Sequence, residues 1–149
     1  MFKKSKNKAK AVRIDTLIGQ NTQIRGDLNF SGGLRIDGKV LGNITTSDNT
    51  SGVLTLGEQG SIEGEIRVPN LIINGRIHGN VFVSDHVELA SKAKVNGNVY
   101  YRLLEMVVGS EVNGQLIKMT AENNDILNLE NGVIEESDTF QLEQKANLD

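Results

Sequence analysis

His78 and His86 are the only two histidines in the chain and its best candidates for acid–base or metal chemistry. His78 stands in Ile77-His78-Gly79 and is expected to point outward at a corner. His86 stands in Ser84-Asp85-His86, which reads as a polar turn. A zinc site needs three or four His, Cys or carboxylate ligands at short spacing. The chain has no Cys, and neither His has a second His at ligand spacing. The lack of Cys also removes a disulfide framework and a thiolate nucleophile. A loop His acting as general base is the remaining enzymatic reading. A Gly-x-x-x-x-Gly-Lys-Ser/Thr phosphate loop is missing, so nucleotide-driven chemistry has no support. The residues therefore predict no catalytic site, no metal and no cofactor.

Composition points to a structural role for most of the chain. Of 149 residues, 16 are Gly, one is Pro and 4% are aromatic. The apolar residues are mainly Val, Ile and Leu, which favours short strands broken by tight turns. Charge is unevenly spread. Residues 1–13 carry six basic side chains and no acid, whereas residues 119–149 carry eight acids against Lys145. This division predicts a basic disordered tail over 1–13, one domain over 14–118 and an acidic disordered tail over 119–149. Apolar runs are too short to cross a bilayer. No apolar stretch follows the basic start as a signal peptide requires, so the expected location is cytoplasmic.

An internal repeat organises the centre. An aliphatic residue, Gly and a second aliphatic recur at alternate positions. The six copies are Ile24-Gly26-Leu28, Val40-Gly42-Ile44, Ile62-Gly64-Ile66, Ile77-Gly79-Val81, Val95-Gly97-Val99 and Val112-Gly114-Leu116. An alternating pair precedes each copy: Thr16/Ile18, Leu34/Ile36, Leu54/Leu56, Leu71/Ile73, Val87/Leu89 and Leu104/Met106. The pairs begin 18, 20, 17, 16 and 17 residues apart, the long step holding a polar loop from Thr45 to Gly52. A third alternating pair follows each Gly, as in Leu28/Phe30, Ile66/Val68 and Val99/Tyr101.

Period two marks a strand with one face inward. Three such strands in about 17 residues predict an all-β fold, a β-helix of about six triangular coils. At ~4.8 Å per coil it forms a rod roughly 29 Å long. Gly26, Gly42, Gly64, Gly79, Gly97 and Gly114 form the repeat's corner row. An irregular β-sandwich does not explain the regular step or the phase of the glycines.

Other solenoids fit less well. Left-handed β-helix acyltransferases repeat every six residues, against 16–20 here. An ice-binding solenoid needs a regular Thr array, and only Thr45, Thr46, Thr50 and Thr55 cluster, mostly within the polar loop. A β-solenoid that binds a partner without polymerising is a further reading.

The last copy ends in Leu116-Ile117-Lys118, with Lys118 at a position that is core-facing in earlier copies. Neither end carries an obvious cap, and an uncapped solenoid presents unpaired backbone and core side chains. Burying about five aliphatic side chains there yields roughly 7–15 kcal/mol gross. Association costs about 4–15 kcal/mol of lost freedom. End-to-end assembly is therefore permitted, and a blunted monomer is the alternative. The predicted contact residues are Leu17, Ile18 and Ile24 at one end, and Leu116, Lys118 and Met119 at the other.

Residues 14–118 resemble the bactofilins, bacterial polymer-forming cytoskeletal proteins. Leu34-Arg35-Ile36-Asp37-Gly38-Lys39-Val40-Leu41-Gly42-Asn43-Ile44 resembles the family's early coils. Gly97-Asn98-Val99-Tyr100-Tyr101-Arg102-Leu103-Leu104-Glu105-Met106 and Gly109-Ser110-Glu111-Val112-Asn113-Gly114-Gln115-Leu116 resemble its late ones. The resemblance implies a right-handed β-helix that polymerises without nucleotide, like ends meeting like ends. It also implies a homopolymer on the inner membrane that recruits cell-wall hydrolases or synthases, or polarity proteins, and so affects cell shape. Members often depend on an aromatic residue in the last coils. Here the late aromatics are Tyr100 and Tyr101, and the final coil has none.

Met1, Phe2, Lys3, Lys4, Lys6 and Lys8 read as a membrane-targeting start. Phe2 inserts at the headgroup boundary, and each Lys near an anionic leaflet adds about 1 kcal/mol. Phe2 stands where a myristoylated chain needs Gly. Display of many copies on a polymer supplies avidity. A merely solubilising tail is one alternative. Nucleic-acid binding is disfavoured by the acidic remainder and the lack of interleaved aromatics.

Overall fold

The inward rows of Ile, Leu and Val fix which way each short strand faces, and parallel pairing stacks each row on the next. The computed structural model describes residues 13–47 and 51–120. All of the sequence-predicted basic start but Arg13, part of the polar loop and nearly all of the acidic end lie outside those residues.

Coil 1 contains β1 (Thr16–Ile18), β2 (Gln23–Arg25) and β3 (Leu28–Phe30). Coil 2 contains β4 (Gly33–Ile36), β5 (Lys39–Leu41) and β6 (Ile44–Thr46). Coil 3 starts with β7 (Val53–Leu56) and β8 (Ser61–Glu63). Strand β9 (Ile66–Ile73) closes coil 3 and opens coil 4 without a break. Coil 4 continues through β10 (Arg76–His78). Strand β11 (Val81–Leu89) then closes coil 4 and opens coil 5. Coil 5 continues through β12 (Lys94–Asn96) and β13 (Val99–Tyr101). Coil 6 contains β14 (Leu103–Met106), β15 (Glu111–Asn113) and β16 (Leu116–Lys118).

Every pairing is parallel, and the register matches the repeat. On the first face Thr16, Leu34, Leu54, Leu71, Val87 and Leu104 align in succession. Ile24, Val40, Ile62, Ile77, Val95 and Val112 align on the second. Leu28, Ile44, Ile66, Val81, Val99 and Leu116 align on the third. The architecture is the expected β-solenoid of about six coils. Its core is a column of aliphatic side chains, and among the described residues no polar or charged residue is buried with them.

Two devices hold the second corner. Gly79 has φ of +150°, and a Cβ there would collide with the carbonyl oxygen of Gly64 in the coil below. Gly42, Gly64, Gly97 and Gly114 stand against the preceding Gly in the same way. The residue after the Gly supplies the second device. Asp27 and Asn43 accept from the amides of Asn43 and Glu65, each at 2.9 Å. Asn80 and Asn98 accept from those of Asn98 and Gln115, each at 3.0 Å.

Two local expectations change. His86 lies within β11 rather than in a turn, because the backbone extends through that corner with a register shift between Val83 and His86. Thr45 and Thr46 belong to β6, so the polar loop starts after them. Thr55 lies in β7, and Thr50 is outside the described residues.

Candidate functional site

Each end of the stack, among the described residues, is a coil with one neighbour. Among the described residues β1, β2 and β3 pair on one side only, as do β14, β15 and β16. The free sides carry inward side chains that, among the described residues, no further coil covers.

At the first end Ile18 is 7% exposed, and Ile24, Leu28 and Phe30 pack half-buried against the core. Leu17, expected in the end contact, alternates with buried Ile18 and pairs in register with Arg35 on the outward row. It therefore presents its side chain, 58% exposed, to the flank of the rod. Ile14, just before it, is also exposed.

At the other end Leu116 stacks on fully buried Val99 and is 40% exposed. Met106 stacks on fully buried Leu89 and is 44% exposed. Leu104 and Val112 pack half-buried against the core. Lys118 is exposed and lies in register over Tyr101, while Met119 is buried. Val107 and Val108, which the sequence reading did not single out, extend this apolar surface along the first corner, Val108 at 93% exposure. Their signal was two adjacent valines where other coils place polar or small corner residues.

The two late tyrosines separate. Tyr101 packs against the core, whereas Tyr100 stacks on Phe82 with ring centroids 4.5 Å apart and planes 9° from parallel. Arg67 covers the other side of Phe82 at 4.0 Å from its centroid. This outward ladder braces coils 3 to 5 through stacking and a cation–π contact.

The histidines do not converge. His78 is exposed on the second face, and His86 is half-buried on the first, its Nε2 lying 3.4 Å from Glu105 Oε1. Met1, Phe2, Lys3, Lys4, Lys6 and Lys8 lie outside the described residues.

A family model for bactofilins, described as polymer-forming cytoskeletal, matches residues 16–117, which are the coils just described. The chain belongs to the bactofilin family. Two relatives come from Myxococcus xanthus strain DK1622. Bactofilin BacO is 29% identical over 102 residues, covering 68% of this chain and 78% of BacO. Bactofilin BacP is 26% identical over 102 residues, covering 68% of this chain and 41% of BacP. No solved structure matches significantly. The chain is thus a member of a polymer-forming cytoskeletal family, for which self-assembly is the common property.

Proposed function

We propose that this chain is a nucleotide-independent scaffold that polymerises through the ends of its β-helix. The polymer lies on the inner face of the cytoplasmic membrane and positions cell-wall enzymes or polarity factors there. The observation that carries the reading is the half-open state of the terminal coils. Leu116 and Met106 stack directly on Val99 and Leu89, which are fully buried. A neighbouring coil would bury them by the same stacking that closes the interior, and would pair the open strand edges. No bond to a nucleotide enters this energy balance.

The basic start supplies the membrane contact, weak for one chain and multiplied along a filament. The test uses purified chain without nucleotide, with and without residues 1–8. Negative-stain microscopy should show filaments for both. Co-pelleting with anionic vesicles should be strong for the intact chain and lost for the shortened one. Absence of filaments overturns the assembly reading, and undiminished pelleting of the shortened chain overturns the anchor.

A further inference from the structure

The first corner of the helix alternates in length over coils 1 to 5. Five residues separate Leu56 from Ile62 and Leu89 from Val95, but only three separate Ile73 from Ile77. The long corners close with backbone hydrogen bonds from Gly60 to Gly57 at 2.8 Å and from Ala93 to Ala90 at 3.0 Å. The short corner passes beneath the first of them. A Cβ at Gly75 would strike the carbonyl oxygens of Gly57 and Gly60. Coil 4 is therefore set back between its neighbours, leaving a recess of about 270 Å³ lined by Glu58, Gln59, Gly75, Arg76, Lys92 and Lys94.

Three cations and one acid share this recess. Arg76 and Lys94 are register partners on adjacent strands, an arrangement that places like charges side by side. Lys94 leans to Glu111 at 3.8 Å, but among the described residues no ion pair engages Arg76 or Lys92. The stack thus carries a repulsive cluster that contributes nothing to its own core. The other short corner, Asp37 to Lys39, is a natural comparison. It lies between corners bearing Gln20 and Asn21 on one side and Glu58 and Gln59 on the other, with Lys39 as its one corner cation. The corner geometry recurs, but the charge cluster does not.

We propose that the recess at Gly75 binds the phosphoryl group of a phosphorylated polyol through Arg76, Lys92 and Lys94. Arg76 offers a planar fork of donors to phosphoryl oxygens, and the two lysines add point charges. Glu58 accepts from a polyol hydroxyl, which favours a glycerophosphate or sugar phosphate over a bare anion. The ligand is either free in solution or the headgroup of a lipid.

The test is a ³¹P NMR titration of glycerol 3-phosphate into the full-length chain at low ionic strength. A parallel experiment measures pelleting with phosphatidylglycerol vesicles. The variants are R76Q/K92Q and, as control, K39Q; circular dichroism verifies that both retain the β signal. Saturable binding is expected for the native chain and K39Q, weaker by about tenfold or more in R76Q/K92Q. It should also weaken as salt rises. Binding of glycerol 3-phosphate that needs Arg76 and Lys92 identifies a soluble ligand. Vesicle pelleting alone that needs them identifies a headgroup. If neither assay separates the double variant from the native chain, the proposal is overturned. K92E, at an exposed corner, replaces the double variant if the latter loses its β signal.

Discussion

The interior coils and the terminal coils are built from the same kinds of residue, yet they differ in what they leave open. Leu89 and Met106 occupy one row, and Val99 and Leu116 another. In each row the earlier member is fully buried and the last is at least 40% exposed. Residue type hardly changes, but the number of neighbouring coils does. The two ends also differ from one another. Ile18 at the first end is nearly covered, whereas the second end exposes Met106, Leu116 and the Val107–Val108 corner. Among the described residues, the inward rows are therefore left more open at the second end than at the first.

That contrast can be broken most sharply at Leu116. Replacing Leu116 with Arg should abolish filaments in electron micrographs while preserving the β-rich circular dichroism spectrum. Leu17→Arg, on the flank, should leave filaments closer to native. Unchanged filaments in the Leu116 variant would remove that residue from the interface.

The corner glycines sharpen the comparison through stability. Gly79→Ala sets a Cβ against backbone in a left-handed conformation and should cost more than about 3 kcal/mol. Gly26, in the first coil, has open space around it, so Gly26→Ala carries mainly the backbone strain, about 1 kcal/mol. Thermal melting of both variants in an assembly-deficient background measures the difference. Truncating the core follows the same order at smaller size. Leu71→Ala in the middle should cost about 3 kcal/mol, and half-buried Leu104→Ala about half as much in the same melts.

The smallest effect concerns Thr46, whose Oγ1 is buried with no hydrogen-bond partner among the described residues. Thr46→Val should raise stability by about 1 kcal/mol, measured by urea unfolding.

Much of this stack was legible in sequence because one inward side chain in each segment recurs and period two fixes its face. The rows beginning at Thr16, Ile24 and Leu28 follow directly from that spacing. Leu17 faces outward because its neighbour Ile18 already claims the inward direction, a placement that period two sets as firmly as the inward rows. His86 shows a limit. Ser84-Asp85-His86 has turn composition, but pairing with β9 keeps the segment extended through the corner. The Gly75 recess depends on a three-residue corner lying between two five-residue ones, a relation visible only once the coils are aligned in space. The Asx ladder was written in the repeated Gly-Asp and Gly-Asn pairs at Gly26, Gly42, Gly79 and Gly97.

Sedimentation velocity of the purified full-length chain, without nucleotide and across about a hundredfold range of concentration, tests the adhesive ends most directly. The sedimenting mass should grow with concentration far beyond one subunit. A single sharp boundary at monomer mass throughout that range would contradict the account.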